Sequence, residues 1–272
     1  MKISITGGTG FLGTDLRARL NENEDFSYSV LERRKHNLSR PESLKNFVSD
    51  SDVVVHLAGV SRSASEKEIN EVNVLGTLNL LDAISRYSPK AHLIFASSFQ
   101  AYEAMDSFGK SKKKAEILIK DRVNKNGLNA TILRFSNLYG VGGKPFHNSV
   151  INTFAEQIKR KVPITLSGDG RQKRDFVYIS DASEAILLVL LKKKEGLREL
   201  DICTGKLTSL LEVVRLFESF TKQKVAVYNR PLDTRINFSA VRSFEKAKES
   251  LGWSPKVDLA LGIKKLIKYY EL

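Results

Sequence analysis

Apolar positions along the first half of the chain follow two alternating rhythms. Short runs rich in apolar residues predict β-strands at Ile3–Thr6, Tyr28–Leu31, Asp52–Leu57, His92–Ala96 and Ala130–Phe135. The unbroken Val53-Val-Val55 stretch within the third predicts a strand covered on both faces. Between these runs the apolar spacing widens to that of amphipathic helices. They are predicted over Phe11–Leu20, across the segment holding Asn73-Val-Leu-Gly-Thr77 and Leu78-Asn-Leu-Leu-Asp-Ala83, and over Ser111–Arg122. Strands alternating with helices predict β-α-β units, hence an α/β fold around a doubly wound parallel sheet.

The rhythm changes after Gly140. Loop-forming residues at Gly142-Gly-Lys-Pro145 and Ser167-Gly-Asp-Gly170 flank a helix predicted over Val150–Arg160. A second helix is expected over Ser209–Phe220, where Leu210, Leu211, Val213, Val214 and Phe217 form a core face, then a strand at Val225–Tyr228. A terminal helix follows Leu251-Gly-Trp-Ser-Pro255. The expected organisation is a first domain over residues 1–140, rejoined by the chain over 176–206, and a smaller lobe drawn discontinuously from 141–272.

At 272 residues with 42% hydrophobic and 28% charged positions, the chain has the make-up of an ordinary globular protein, large enough for a core without staples. Lys and Arg number 44 against 31 Asp and Glu, and the resulting +13 charge favours phosphorylated or otherwise anionic partners. No basic stripe is interleaved with aromatics, so nucleic acid is not an expected partner. One cysteine, Cys203, excludes a disulfide framework within the chain. His36, His56, His92 and His147 lack metal-ligand spacing, so no metal is expected. The longest apolar run, Ala185–Leu191, is far short of a bilayer span, and the opening Met1-Lys-Ile-Ser-Ile-Thr-Gly-Gly8 has no signal-peptide pattern. A cytoplasmic protein without membrane contact is the expectation.

The first candidate chemistry lies at Thr6-Gly-Gly-Thr-Gly-Phe-Leu-Gly13, directly between a predicted strand and helix. Gly7, Gly10 and Gly13 allow a tight turn, close approach of backbone to a pyrophosphate, and close helix–sheet packing, while the helix N-terminus offers N–H groups to an anion. The pattern predicts a Rossmann-type dinucleotide site. An acidic residue, Glu32, ends the second strand and is placed to accept from the adenosine ribose hydroxyls, which favours NAD. Arg33 and Arg34 follow at once and would instead pair with the extra phosphate of NADP, so both cofactors stay open.

Together with His56-Leu-Ala-Gly59, Asn73-Val-Leu-Gly-Thr77, Leu133-Arg-Phe-Ser-Asn-Leu-Tyr-Gly140, Arg174-Asp-Phe-Val-Tyr-Ile-Ser-Asp181 and Leu251-Gly-Trp-Ser-Pro255, this segment resembles the extended short-chain dehydrogenase/reductases, in their nucleotide-sugar epimerase/dehydratase branch. The matches run in order along the whole chain. The resemblance implies cofactor contacts at Gly7, Gly10, Phe11, Leu12, Gly13, Glu32, Arg33, Leu57, Ala58, Gly59, Ser97, Lys112 and Phe135. It implies nucleotide-sugar contacts at Ser98, Asn137, Asn148, Ser149, Arg174, Arg230 and Asp233, the arginines gripping a diphosphate. It further implies a UDP-linked substrate and a homodimer.

In that branch a lysine, here Lys112, holds the nicotinamide ribose and favours the phenolate of a tyrosine one helical turn earlier. That tyrosine moves a proton as hydride passes at the sugar's C4. Here the position is Phe108, whose ring has no ionisable proton. Either tyrosine has been replaced in this chain, or proton transfer has moved to another group or to water, or catalysis has been lost and binding kept. Tyr102 matches a different tyrosine of the branch and does not stand in. Ser97-Ser-Phe-Gln-Ala101 and Lys144-Pro-Phe-His-Asn-Ser-Val-Ile-Asn-Thr-Phe154 are similar to capsular-polysaccharide reductases acting on UDP-4-keto-6-deoxy-N-acetylhexosamines. The expectation is an NAD(P)-dependent reductase of a UDP-4-keto-sugar with Ser98, Phe108 and Lys112 at the reacting centre. The alternatives are a 4-epimerase or dehydratase that retains NAD, or a non-catalytic dinucleotide-binding regulator.

Overall fold

The computed structural model describes residues 1–32, 38–60, 65–147, 149–231 and 240–272. In chain order the strands are β1 (Lys2–Thr6), β2 (Ser27–Val30), β3 (Val53–His56), β4 (His92–Ser98), β5 (Ala130–Phe135), β6 (Asn137–Tyr139), β7 (Ile164–Ser167), β8 (Lys173–Arg174), β9 (Phe176–Tyr178), β10 (Leu197–Ile202), β11 (Thr208–Ser209) and β12 (Val227–Arg230). The helices are α1 (Phe11–Leu20), α2 (Lys45–Val48), α3 (Glu66–Asn70), α4 (Gly76–Tyr87), α5 (Gln100–Glu103), α6 (Ser107–Asn126), α7 (Val150–Lys159), α8 (Ile179–Leu191), α9 (Leu210–Thr221), α10 (Glu245–Leu251) and α11 (Leu259–Tyr270). Two compact units result: Met1–Arg134 with Ser183–Leu200, and Phe135–Ala182 with Asp201–Leu272.

The first unit is built on a six-stranded parallel sheet of order β10-β5-β4-β3-β1-β2. Every residue of β3 is buried, as its unbroken apolar run predicts, because helices cover both faces of such a sheet. On one face Leu80, Leu81, Ala83 and Ile84 of α4 pack with Val54, Leu93, Phe95, Ala115, Ile119 and Ile132 in a continuous core. Each large side chain fully buried there stabilises the fold by roughly 1.5–3 kcal/mol. The strand order doubles back at β1, whose neighbours are β2 on one side and β3 on the other. That reversal opens a crevice at the carboxyl ends of β1 and β3, the usual ligand position in doubly wound sheets.

Sequence patterning placed α1 and β5 at their observed bounds and missed others. Helix α6 begins at Ser107 rather than Ser111, because the Asp106 side chain accepts from the Gly109 N–H and caps a first turn poor in apolar residues. The pattern predicted no strand at Leu197–Ile202, where buried Arg198, Leu200 and Ile202 alternate with partly exposed Leu197, Glu199 and Asp201; it is the edge strand β10. The strand expected at Val225–Tyr228 runs instead over Val227–Arg230, in register with β7.

The second unit explains two of the sequence motifs as packing devices. Asp181 is buried, and its carboxylate accepts from the backbone N–H of Lys256 and Val257 at 3.0 and 2.9 Å. The Trp253 indole N–H donates to the Asp181 carbonyl at 2.9 Å. Asp175 is likewise a hub, accepting from the Ser136 hydroxyl and from the Thr204 N–H and hydroxyl. Gly262 of α11 is required because a Cβ there would lie 2.1 Å from the Tyr139 hydroxyl. Core positions of α9 are Leu210, Val213, Val214 and Phe217, with Leu211 only partly covered.

Candidate functional site

Gly7 has φ +70°, and a Cβ built on it would sit 2.6 Å from the Ala58 nitrogen. The glycine turn after β1 and the Leu57-Ala-Gly segment after β3 therefore meet at the crevice, as close as backbones allow. A Cβ on Gly13 would fall 2.4 Å from the Gly7 carbonyl oxygen, so helix α1 starts hard against the turn. Gly10 is the N-cap of α1 and supplies no side-chain cap, and the first turn carries no acidic residue. Backbone N–H groups at this end remain available to an anion such as a pyrophosphate. Leu12 is buried beneath the turn, Phe11 is partly exposed, and Glu32 is exposed just beyond β2.

Lys112 is 6% exposed. Its Nζ donates to the Ala96 carbonyl at 2.7 Å and lies 4.8 Å from the Phe95 ring centroid and 5.9 Å from that of Phe108. Burial lowers its pKa to about 8, against the opposing pull of Glu116. Gly59 lies beside it, since a Cβ there would be 3.4 Å from Nζ and 3.3 Å from Asn73 Oδ1. Nearby His56 accepts or donates to Thr6 and Thr77 at 2.6 and 3.0 Å, and burial, then the Lys112 charge, drives its pKa down to about 3. It is a neutral core residue.

The three final residues of β4 are each anchored. Ala96 is held by Lys112, while Ser97 donates its hydroxyl to Glu116 at 2.5 Å. Ser98 accepts from the Gln100 N–H at 3.2 Å and so leaves its hydroxyl proton to point elsewhere. The expected cofactor contact of Ser97 thus has its side chain already engaged. Tyr102 is engaged too: Arg134 donates to its hydroxyl at 3.1 Å and stacks 4.7 Å from its ring centroid. Gly7, Leu57, Ala58, Gly59, Ser97, Ser98, Phe108 and Lys112 consequently gather in the first unit, at the carboxyl ends of β1, β3 and β4.

Sequence reasoning gave no role at the site to Asn73, Glu116 or Arg134. Asn73 is buried in a π-helical turn between α3 and α4, where the widened backbone ring turns its side chain inward. Its amide donates to the Val60 carbonyl and the Ser111 hydroxyl at 3.0 and 2.9 Å, and its oxygen accepts from the Val60 N–H at 2.8 Å, tying the Gly59 loop to α6. Glu116 follows Lys112 by one helical turn, a spacing visible in the sequence. Its partner Arg134 lies on β5, and the pairing was not visible in the sequence.

In the second unit Phe135 is buried at the end of β5. Asn137 donates its amide to the Asp175 carbonyl at 3.0 Å, and the Ser149 hydroxyl oxygen caps α7. Arg174 is nearly buried, and burial lowers its pKa. Arg230 is exposed at the end of β12. The two arginines stand on separate two-stranded ladders, β8 with β11 and β12 with β7. Arg33, Asn148 and Asp233 lie outside the described residues. A cavity of about 160 Å³ in this unit is lined by Phe176, Thr204, Lys206 and the Pro255–Leu259 segment, and by neither arginine. Among the described residues no group of three potential metal ligands gathers, and no helix is long and apolar enough to cross a membrane.

Several known proteins are similar to this chain. A Methanocaldococcus jannaschii protein carrying the provisional name UDP-glucose 4-epimerase is 31% identical over 99% of this chain and 98% of its own. The UDP-2-acetamido-2,6-beta-L-arabino-hexul-4-ose reductase of Pseudomonas aeruginosa is 30% identical over 70% of this chain and half of its own. The crystal structure of Thermotoga maritima UDP-glucose 4-epimerase with UDP-glucose superposes with a TM-score of 0.90 at 27% identity, covering 100% of this chain and 99% of that one. The model of the NAD-dependent epimerase/dehydratase family matches residues 3–203. With its glycine turn, buried lysine and doubly wound sheet, the chain belongs to the NAD-dependent epimerase/dehydratase family of nucleotide-sugar enzymes.

Proposed function

We propose that this protein binds NAD(P) on the Gly7–Gly13 turn and a UDP-linked sugar, and that it reduces a 4-keto group on that sugar. The observation that carries the reading is the buried Lys112 ammonium, held by the Ala96 carbonyl and flanked by Gly59 and Phe108. Gly7, Gly10 and Gly13 leave room for a pyrophosphate against the first turn of α1, and Lys112 is the donor for the nicotinamide ribose. Glu32 just beyond β2 supports NAD, while the Arg33–Arg34 pair in the sequence supports NADP. The reduced nicotinamide supplies a hydride to C4 when bound. As the C–H bond forms, the carbonyl π electrons move to oxygen, which Ser98 polarises by donating its hydroxyl proton's hydrogen bond. The oxygen then takes one proton. Phe108 cannot provide it, so water does, at a cost to rate.

The missing phenol also favours reduction over epimerisation. Both directions of a C4 hydride transfer share one transition state. An epimerase must first oxidise an alcohol, with a base to take its proton, and then re-reduce the ketone from the opposite face through a second transition state. A reductase starts from the ketone and needs one hydride transfer and one proton, which water can give. The reductase from Pseudomonas aeruginosa is a relative in keeping with this. The second reading, a 4-epimerase keeping tightly bound NAD, is favoured by the match along nearly the full length to the Methanocaldococcus protein.

Calorimetry with NADH, NADPH and UDP, followed by turnover of a UDP-4-keto-sugar read at the reduced nicotinamide band, tests the proposal. Binding of a reduced dinucleotide and its oxidation on adding the keto-sugar are the expected results. A folded protein that binds no dinucleotide would sink it. Release of NAD on denaturation, with no exchange of added NADH, would favour the epimerase.

A further inference from the structure

Behind the strand end that carries Ser98 lies a buried charge network with no role in the reading above. Glu116 is 6% exposed and Arg134 9% exposed. Arg134 Nε donates to Glu116 Oε1 at 2.8 Å and its NH2 to Oε2 at 2.6 Å, a two-pronged fork. The same guanidinium reaches Glu199 on β10, which Lys120 meets from outside at 2.8 Å. Burial disfavours the Arg134 charge, but Glu116 and then Tyr102 and Glu199 outweigh it and raise its pKa. Ser97 hangs from the same carboxylate that holds Arg134.

Lys112 and Glu116 are one helical turn apart on α6, and both grip consecutive residues of β4, Ala96 and Ser97. We infer that Glu116, held by Arg134, is the positioning residue of this site: it locks the Ser97–Ser98 strand end onto α6 and keeps Lys112 charged. Among the described residues, the charged and titratable groups that bear on Lys112 come from three elements. His56 approaches from β3 and is neutral, Glu116 lies on its own helix, and Arg134 stands behind Glu116 on β5. Phe95 and the Ala96 carbonyl face it from β4, and Asn73 and Gly59 are uncharged. Glu116 is thus the one anion among these that opposes the desolvation of the ammonium. Its fork to Arg134 moderates that pull. The network therefore sets how much of Lys112 is protonated near neutral pH. The inference concerns the chain's own groups, and only its consequence for cofactor binding rests on the proposed function.

The test is a pH titration of ligand-free protein carrying 13C-lysine, with the Lys112 resonance assigned from Lys112→Arg. Glu116→Gln keeps the shape and removes the charge, and is expected to shift the Lys112 midpoint to lower pH by on the order of one unit. Arg134→Gln removes a cation and is expected to shift it to higher pH. A buried charge left alone is destabilising, so circular dichroism checks each fold. Glu199→Gln, at the partly exposed side of the network, leaves Arg134 less neutralised and is expected to move the midpoint to lower pH by a smaller amount if either first variant fails to fold. Coincident midpoints in folded wild type and variants would overturn the inference. NADH titrations at pH 7 and pH 9.5 form the second arm. If the midpoints move while NADH affinity is independent of pH, the network stands and the placement of the ribose on Lys112 falls.

Discussion

The Lys112 ammonium lies 5.9 Å from the centre of the Phe108 ring, one helical turn away on the same face of α6. A hydroxyl added at the tip of that ring would restore a phenol beside a buried cation, which favours the phenolate. Phe108→Tyr is therefore expected to raise turnover of the keto-sugar by roughly a hundredfold or more, the usual worth of a positioned general acid. Dinucleotide affinity should change little. Steady-state rates of the two proteins decide it, and equal rates on a verified substrate would remove Phe108 from the reacting centre.

At the crevice, Gly7→Ala is expected to disable the first unit. The left-handed φ of +70° costs an L-residue about 1–2 kcal/mol, and the new methyl would sit 2.6 Å from the Ala58 backbone, which cannot swing aside. A drop in melting temperature together with loss of NADH binding is the expected outcome. A variant with wild-type melting and binding would show that the Gly7 turn and the Ala58 segment do not touch.

Acid should destabilise the first unit through two histidines. Burial, then Lys112, lowers the His56 pKa to about 3, while burial followed by Arg198 and Lys193 lowers that of His92 to about 4. Both are neutral when folded and take up a proton near pH 6.5 when unfolded. Their contribution is complete above that value. It declines as pH falls below 6.5, until the folded pKa values of about 4 and 3 are passed. One pH unit below 6.5 the loss is about 1 kcal/mol per histidine. Urea melts at pH 7 and 5.5 measure it, and His92→Gln should flatten part of the dependence.

In the second unit, Asp181→Ala should loosen the segment that carries Trp253. The carboxylate accepts from the buried backbone N–H of Val257 and the part-buried one of Lys256. Leaving the Val257 N–H unsatisfied costs about 1–3 kcal/mol. Earlier thermal unfolding, with a red-shifted Trp253 emission below the transition, is the expected signature. An unchanged melt would mean that the two motifs are not coupled.

The local rhythm of the chain contained α1, β3 and β5, because those elements bury contiguous or helix-spaced apolar residues whatever surrounds them. The glycine turn was legible for a similar reason: a strand-to-helix junction with three spaced glycines has few other uses. Lys112 and Phe108 were legible as a helical pair. Edge strand β10 was not, since its charged residues look like loop until Glu199 is seen between Arg134 and Lys120.

Sequence alone therefore determined the layered α/β class, the glycine turn, and the absence of an ionisable group at residue 108. Tertiary structure alone decided that Ser97 is engaged by Glu116, that Tyr102 is engaged by Arg134, and that Asp175 and Asp181 serve packing. The physical reason is distance along the chain. Ser97, Glu116, Arg134 and Glu199 sit on four different elements, and no local pattern encodes which buried charge meets which. Only the folded sheet brings them within hydrogen-bonding reach, where burial removes water as a competing partner and makes the pairing obligatory.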